Sequence, residues 1–159
     1  MKNITDLQIK GQRVLIRVDF NVPIKHGIIL DDYRIRASIP TINYCIKKGA
    51  SVILMSHLGR PNGKNIPKMS LVPVLLILEN ILEKRVLFSD NCISDQAVEI
   101  SQKMKPGEIH LLENLRFHIG ETENEEEFTW LLSRHANIYI NDAFGTAHRE
   151  HASNVGIAR

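Results

Sequence analysis

Residues 142–151 carry the densest set of chemically capable side chains in this chain and read Asp-Ala-Phe-Gly-Thr-Ala-His-Arg-Glu-His. Small residues are mixed with two histidines and an arginine directly after a strongly apolar run. Glycine lets the backbone approach a ligand closely, and an arginine guanidinium binds phosphate or carboxylate through paired hydrogen bonds. The stretch therefore indicates a site for a phosphate or carboxylate group.

Three other segments carry matching residues, and each follows an apolar run. They read Arg-Val-Asp-Phe-Asn-Val-Pro (17–23), Ser-His-Leu-Gly-Arg-Pro (56–61) and Glu-Asn-Leu-Arg-Phe-His (113–118). The candidate ligands in the four segments are Asp19, Asn21, His57, Arg60, Arg116, His118, His148, Arg149 and His151. Arginines gathered at one edge repel one another unless an anion is present. The pattern predicts a polyanionic small molecule whose phosphate contacts several guanidinium groups.

The elements that must position these segments alternate along the chain. Apolar runs predict strands at 13–19, 50–56, 85–88, 109–112 and 137–140, and apolar residues at helical spacing predict helices around 35–46, 71–82, 94–105 and 128–135. Such alternation is typical of an α/β domain, a doubly wound, Rossmann-like parallel sheet with helices on both faces. Ligands bind beyond the carboxyl ends of such strands, so the four segments, and Arg34 at the start of the first helix, are predicted to converge.

Several residues have simpler structural interpretations. A hairpin is predicted around His26-Gly27, and Pro40 is expected to kink or split the first helix. Asp31 or Asp32, Ser70 and Ser94 are candidate helix caps. We interpret the acidic run 121–127 as a solvated helical turn. The remaining residues in this group are interpreted as core or structural groups: Cys45, Cys92, His110, His118, Trp130 and His135.

Composition narrows the class of protein. The chain has 159 residues, which suits one domain, and its net charge of +2 is too small to indicate nucleic acid by itself. No apolar run reaches the roughly 20 residues that span a bilayer, and no signal peptide is evident, so a cytoplasmic protein is expected.

Three known motifs are not matched. The Gly59–Asn65 segment is one residue short of a P-loop, and no GxGxxG dinucleotide-binding motif follows the first strand. His148-Arg-Glu-His151 is not the zinc-binding motif HExxH, and no metal site is predicted.

The four segments together resemble the N-terminal domain motifs of the phosphoglycerate kinase family, in the same order and with similar spacing. The resemblance covers essentially all 159 residues. It implies that residues 1–159 form the substrate-binding domain, which takes 3-phosphoglycerate or 1,3-bisphosphoglycerate. The reaction implied is reversible phosphoryl transfer between 1,3-bisphosphoglycerate and MgADP, giving 3-phosphoglycerate and MgATP in glycolysis.

The resemblance also implies a role for each matching residue. Asp19 and Asn21 match residues that hold the hydroxyl and carboxylate end of the glycerate. Arg34 matches the catalytic arginine that neutralises charge on the phosphoryl group in transfer. His57, Arg60, Arg116 and Arg149 match the basic patch that binds the other phosphate, and His148 matches a motif histidine whose role is less direct. The Arg149→Ala variant is accordingly expected to bind 3-phosphoglycerate less tightly.

The family's second domain, which binds Mg²⁺ with ATP or ADP, has no counterpart in this sequence. Residues 156–159 resemble the start of another element, so we expect an incomplete domain that lacks its last strand. Such a fragment is expected to bind no cofactor and to be inactive alone. The family is usually monomeric, but an exposed sheet edge would give the fragment a route to self-association.

Two other functions remain open on the sequence. One is a stand-alone domain that binds an anion without catalysis. The other is a nucleic-acid binder that uses the same basic edge, although the basic residues are interleaved with small residues rather than with aromatic residues suited to stacking on bases.

Overall fold

A computed structural model describes residues 7–142 of the chain. The strands are β1 (Arg13–Arg17), β2 (Ile24–Lys25), β3 (Ile28–Ile29), β4 (Ser51–Met55), β5 (Leu87–Ser89), β6 (Ile109–Leu112) and β7 (Ile138–Asn141). The helices are α1 (Tyr33–Lys47), α2 (Val72–Leu82), α3 (Asp95–Gln102), α4 (Ile119–Thr122) and α5 (Glu126–Ser133). Two 3₁₀ turns, Pro67–Met69 and Leu115–Phe117, lie in the connections.

Five strands form one parallel sheet in the order β5-β6-β4-β1-β7. The register aligns Arg17 at the end of β1 with Met55 of β4 and Asn141 of β7. All five carboxyl ends therefore lie at the same edge of the sheet. The segments that follow β1, β4 and β6 start from neighbouring strands, as the sequence predicts.

Both faces of the sheet are covered, which explains why β1 and β4 are apolar at nearly every position. On one face, Val14, Ile16, Val52 and Leu54 pack in a core with residues of α1 and α2, among them Ile35, Ile42, Val74 and Leu78. On the other face, Leu15, Ile53 and Met55 pack with Phe128 and Leu132 of α5. The prediction of a doubly wound parallel sheet with helices on both faces is confirmed.

The local turn signals also act as their chemistry predicts. β2 and β3 pair as an antiparallel hairpin, and His26 and Gly27 at its tip have φ angles of 51° and 75°. Two consecutive left-handed residues are the requirement of a type I′ turn, which matches the twist of the flanking strands. Gly49, at φ 85°, follows α1 in the same left-handed region. Ser94 caps α3 by accepting a hydrogen bond from Ala97 N–H.

Several helix boundaries and caps differ from the predictions. α1 is not split at Pro40, and α3 ends at Gln102 rather than near Lys105. The acidic run does not form one helical turn, because it is divided between α4 and α5. Ser70 precedes Leu71, the actual N-cap residue of α2. Of the two predicted caps of α1, Asp31 accepts a hydrogen bond from Tyr33 N–H, whereas Asp32, at the N-cap position, makes no side-chain capping bond.

The solvent exposure of two side chains is the reverse of the prediction: one expected in the core is exposed, and one expected in solvent is buried. Trp130 is 60% exposed, because Phe128 and Leu132, four residues apart, turn the inner face of α5 to the sheet and leave Trp130 outside. Its ring lies 5.2 Å from the guanidinium of Arg134. Glu121, predicted to be solvated, is fully buried 3.9 Å from the buried Arg17 guanidinium. A buried cation opposite explains why this one carboxylate leaves water.

No helix in the described part of the chain is both long enough and apolar enough to cross a membrane.

Candidate functional site

The segments after β1, β4 and β6 are tied together at the carboxyl edge of the sheet by hydrogen bonds. The amide oxygen of Asn21 accepts from Gly59 N–H at 2.9 Å, and the carbonyl of Gly59 accepts from the Arg116 guanidinium at 3.2 Å. These two bonds join three segments that are far apart in sequence. We refer to the described residues Asp19, Asn21, Arg34, His57, Arg60 and Arg116 as the basic rim.

The β1 side of the rim is organised around the carboxylate of Asp19. One Asp19 oxygen accepts from Asn21 N–H at 3.0 Å and from Arg34 at 3.2 Å. Arg34 lies in the first turn of α1 and also donates to the carbonyl of Asn21 at 3.0 Å. The Arg34 side chain remains 52% exposed, and Asp19 faces solvent in part. An ion pair this exposed is worth at most about 1 kcal/mol, so an incoming anion can displace it at small cost.

The β4 and β6 sides of the rim contribute two arginines in different environments. Arg60 is exposed and takes part in none of the five ion pairs found within residues 7–142. Arg116 is buried, and besides its bond to Gly59 its own carbonyl accepts from Gly63 N–H at 3.0 Å. Arg60 therefore supplies an accessible cation, while Arg116 also anchors the segment that carries it.

Asn114 joins the β4 segment to the β6 segment through its side-chain amide. Its oxygen accepts from Leu58 N–H at 3.2 Å and from Arg116 N–H at 3.0 Å. Its NH₂ group donates to the carbonyls of Leu58 at 2.7 Å and of Met69 at 2.9 Å. Both donor hydrogens and the two acceptor positions of this buried amide are in use. Asn114 consequently determines where Leu58 and Arg116 lie relative to each other.

The neighbouring Glu113 attaches the start of α2 to the same place. One of its oxygens accepts from Leu71 N–H and Asn114 N–H, both at 2.8 Å, and the other accepts from the Ser70 hydroxyl at 2.6 Å. A carboxylate near a helix N-terminus satisfies backbone N–H groups that lack partners in the helix and interacts favourably with the helix dipole. Glu113 therefore holds α2 against the end of β6.

His57 is buried beside the end of β1, 3% exposed. Its Nδ1 lies 2.9 Å from Nη2 of Arg17, and Nη1 of Arg17 donates to the carbonyl of Val18 at 3.0 Å. Burial lowers the pKa of Arg17, and the Glu121 carboxylate opposes that shift. The Ser56 hydroxyl accepts from Phe20 N–H and donates to the carbonyl of His57, both at 2.9 Å, which fixes the backbone on either side.

A cavity of about 360 Å³ opens next to the Asp19–Arg34 pair. Tyr33, Ala37, Ser38 and Asp142 line it together with that pair. Burial raises the pKa of Asp142, an effect that a hydrogen bond with Thr41 opposes. The cavity adjoins the exposed end of Arg34, so a small molecule bound there would lie within reach of this guanidinium.

Of the residues predicted from the sequence to form the site, the structure connects Asp19, Asn21, Arg34 and Arg116 and places His57 and Arg60 on the segment between them. His118 is elsewhere: its ring packs on Phe128 at 5.5 Å, and burial lowers its pKa. This agrees with the structural interpretation of His118. His148, Arg149 and His151 lie outside the described residues.

Three residues that support the rim were not predicted from the sequence: Arg17, Glu113 and Asn114. In each case the sequence nevertheless contained an indication that the residue is a buried polar group. Arg17 is a charged residue directly after the apolar run Val14–Ile16 of β1, and Glu113-Asn114 follows directly on the apolar run of β6. Polar groups at such positions are buried, and a buried polar group needs partners. Their particular partners could not be read from the sequence, because each partner lies on another segment.

Fold and site together define an α/β domain whose cationic residues gather at the carboxyl edge of a parallel sheet, the usual location for a small anionic ligand in such folds. The phosphoglycerate kinase family model matches residues 4–159. The chain therefore belongs to the phosphoglycerate kinase family.

Individual relatives agree with this assignment. The chain is 51% identical to the phosphoglycerate kinase of Finegoldia magna over 160 residues and 47% identical to that of Clostridium novyi over 159 residues. In both comparisons 99% of this chain is matched, whereas 40% of the relative is covered. The chain thus spans about two fifths of the length of these relatives.

Solved structures with the same fold carry the same name. The phosphoglycerate kinase of Coxiella burnetii matches with a TM-score of 0.87 at 39% identity, over 98% of this chain and 38% of that one. The enzyme of Pyrococcus horikoshii matches with a TM-score of 0.90 at 34% identity, over 100% of this chain and 40% of that one. The fold predicted from the sequence is thereby confirmed by comparison with known structures.

Proposed function

We propose that this chain provides the phosphoglycerate-binding domain of a phosphoglycerate kinase. The observation that carries the proposal is the hydrogen-bonded line from Arg34 and Asp19 through Asn21 and Gly59 to Arg116. This line brings the cationic side chains of Arg34 and Arg116, and the segment that carries Arg60, to one edge of the sheet, where a phosphorylated carboxylic acid would find both charge and directional donors.

Within this proposal, Arg60 and Arg116 bind the phosphate that is not transferred, together with Arg149. Asp19 and Asn21 orient the hydroxyl and carboxylate end of the glycerate. Arg34 lies beside the cavity at the opposite end of the rim from Arg116, and its exposed ion pair with Asp19 is easily exchanged for a phosphoryl oxygen. Two anionic ends of one substrate would thus contact different guanidinium groups.

The reaction proposed is reversible transfer of a phosphoryl group between 1,3-bisphosphoglycerate and MgADP. A carboxylate is already ionised at neutral pH, so no general base is required to prepare it as the nucleophile. Phosphoryl transfer depends mainly on positioning and charge neutralisation, which arginines supply. Mg²⁺, when bound with the nucleotide, would neutralise charge on its phosphates.

Within residues 7–142, no three His, Cys, Asp or Glu side chains are grouped as a metal ion would require. We assign Mg²⁺ and ATP or ADP to the part of the family's length that this chain does not span. Domain closure over the rim would then exclude water from the transfer. The rim itself would bind the substrate and neutralise negative charge on the phosphoryl group.

The binding half of the proposal predicts that Arg60→Ala weakens 3-phosphoglycerate binding at least tenfold. Removing one charge-assisted contact costs about 1.5–3 kcal/mol. Arg36→Ala is the matched control, because Arg36 is also an exposed arginine of this domain but pairs with Asp32 on the surface of α1. Titration calorimetry should show the loss in the first variant and an unchanged affinity in the second. Equal affinity in both variants would remove Arg60 from the site.

The catalytic half predicts that the chain, mixed with a separately expressed remainder of the Finegoldia magna relative, forms ATP from 1,3-bisphosphoglycerate and MgADP. Arg34→Ala should reduce the turnover number by two orders of magnitude or more while the fold is retained, because the positive charge at the reacting phosphoryl group would be lost. Arg36→Ala again serves as control. A folded pair that binds both substrates without turnover would favour an anion-binding domain that has no catalytic role.

A further inference from the structure

The contact between Arg17 and His57 determines what kind of group His57 presents to a ligand. Arg17 is the last residue of β1 and is fully buried, and His57 is 3% exposed. Their closest approach, Nη2 to Nδ1, is 2.9 Å, a normal hydrogen-bond distance. A guanidinium carries five N–H donors and no acceptor. Nδ1 of His57 must therefore be the acceptor of this bond and carry no proton.

A neutral imidazole has a single N–H group. With Nδ1 accepting from Arg17, that proton resides on Nε2. While Nδ1 accepts this bond it cannot carry a proton, so the ring stays neutral as long as the contact with Arg17 is kept. We propose that Arg17 is a positioning residue that holds His57 as the neutral Nε2–H tautomer, so that His57 serves the rim as a hydrogen-bond donor and not as a cation.

This assignment rests on the proposed function for the identity of the ligand, and it refines that function in one respect. The family resemblance groups His57 with the arginines as part of a basic patch. Under this assignment the two kinds of group have different roles: the guanidinium groups supply the charge, and His57 supplies a directional N–H for an oxygen of the phosphorylated substrate. A residue that is kept in one tautomer needs no reorganisation when the ligand arrives, which favours binding.

Arg17 has a second neighbour, Glu121, whose carboxylate oxygen lies 3.9 Å from the same Nη2. A structural role for Arg17, limited to balancing this buried charge, would leave the tautomer of His57 independent of Arg17. Glu121→Gln keeps the shape of the side chain and removes the charge, so it separates the two roles. Arg17→Met combined with Glu121→Gln removes the guanidinium without leaving a buried carboxylate uncompensated.

The test is the ¹⁵N spectrum of the imidazole nitrogens in the chain without ligand at neutral pH, with the His57 signals assigned from their loss in His57→Gln. We expect a protonated Nε2 and an unprotonated Nδ1 in the unaltered chain and in Glu121→Gln. In Arg17→Met/Glu121→Gln, the His57 signals should shift to a mixture of tautomers or to imidazolium. A protonated Nδ1 in the unaltered chain would overturn the proposal whether or not any variant folds. So would an Nε2–H signal unchanged in the double variant.

Addition of 3-phosphoglycerate then connects the tautomer to the ligand. The Nε2–H signal of the unaltered chain should move while Nδ1 stays unprotonated, and the affinity of Arg17→Met/Glu121→Gln should be about five- to tenfold lower than that of Glu121→Gln, the effect of losing one well-placed hydrogen bond. Failure of the chain to bind 3-phosphoglycerate would contradict the proposed function alone, since the spectra without ligand test the role of Arg17 separately.

Discussion

Acidification from pH 7.5 to 4.5 is expected to reduce the free energy of unfolding of this chain steeply, because two buried histidines must stay neutral for it to remain folded. Burial, with a contribution from His135, lowers the pKa of His110 to about 3. Burial lowers the pKa of His135 to about 4, against a hydrogen bond with the Cys92 carbonyl. Both values lie well below the 6.5 of an unfolded histidine.

The hydrogen bonds around these rings explain why neither can accept a proton. Nε2 of His135 contacts the carbonyl of Cys92 at 2.7 Å and must donate, so Nδ1 accepts from the Ser101 hydroxyl at 2.6 Å. With its proton in use, Ser101 accepts from Nδ1–H of His110 at 2.9 Å. Nε2 of His110 then accepts from Ser89 at 2.7 Å. Every donor and acceptor in this chain of bonds has one possible direction.

The direction of the pH effect follows from proton linkage. Between pH 6.5 and about 4, the unfolded chain binds protons on both histidines while the folded chain does not. Stability is therefore fully present above pH 6.5 and falls as the pH decreases, by about 1.4 kcal/mol per pH unit for each histidine. His118, whose pKa burial also lowers, contributes with the same sign, whereas Asp142, whose pKa burial raises, contributes with the opposite sign.

Urea unfolding at a series of pH values measures this effect, and paired variants isolate its source. His135→Gln retains a donor and an acceptor but cannot take up a proton, so the slope of stability against pH should fall by about 1.4 kcal/mol per pH unit. The control is His26→Asn, at an exposed hairpin position with φ 51° that asparagine tolerates. The same slope in His135→Gln and the unaltered chain would contradict the prediction.

Asn114→Ala is expected to lower the free energy of unfolding by about 2–6 kcal/mol, since its four hydrogen bonds, three buried and one partly buried, each contribute about 0.5–1.5 kcal/mol. Under the proposed function, the same change should weaken 3-phosphoglycerate binding, because Leu58 and Arg116 lose the group that fixes their separation. Chemical unfolding measures the first effect, and calorimetry at a temperature where the variant is folded measures the second.

Asn91→Ala is the matched control for this change. The Asn91 side chain accepts one hydrogen bond, from Ile93 N–H at 2.9 Å, in a loop that is not part of the rim. It should cost about 1 kcal/mol and leave binding unchanged. If Asn114→Ala were no more destabilising than Asn91→Ala, the four bonds of Asn114 would not be what holds the rim together.

The sequence predicted the architecture well because its strongest signal, the distribution of apolar residues, has a general cause. Strands buried on both faces need apolar side chains throughout, and β1 and β4 have them except at their ends, where Arg13, Arg17 and Ser51 lie. Predicted strand ends are within about two residues of those observed. The hairpin around His26-Gly27 was predicted equally well from its turn residues.

The errors arose where packing, rather than local sequence, decides exposure. Trp130 follows Phe128 by two residues, and only the docking of α5 on the sheet shows that its side chain points outward. Glu121 belongs to an acidic run and is nevertheless fully buried, because Arg17 is opposite it. The residues next to Glu121 in the sequence do not indicate that its partner, Arg17, lies about one hundred positions away.

By itself, the sequence determined the order of strands and helices, because apolar periodicity and turn residues act locally. It placed Asp19, Asn21, His57, Arg60 and Arg116 after strand ends and Arg34 at the start of the first helix. Only the tertiary structure decided how these residues are held: by Asn114 across two segments, by Asn21 on Gly59 and by Arg17 on His57. Each of these bonds joins groups at or beyond the ends of different strands, and hydrogen-bond direction and burial exist only once the sheet has brought those strand ends together.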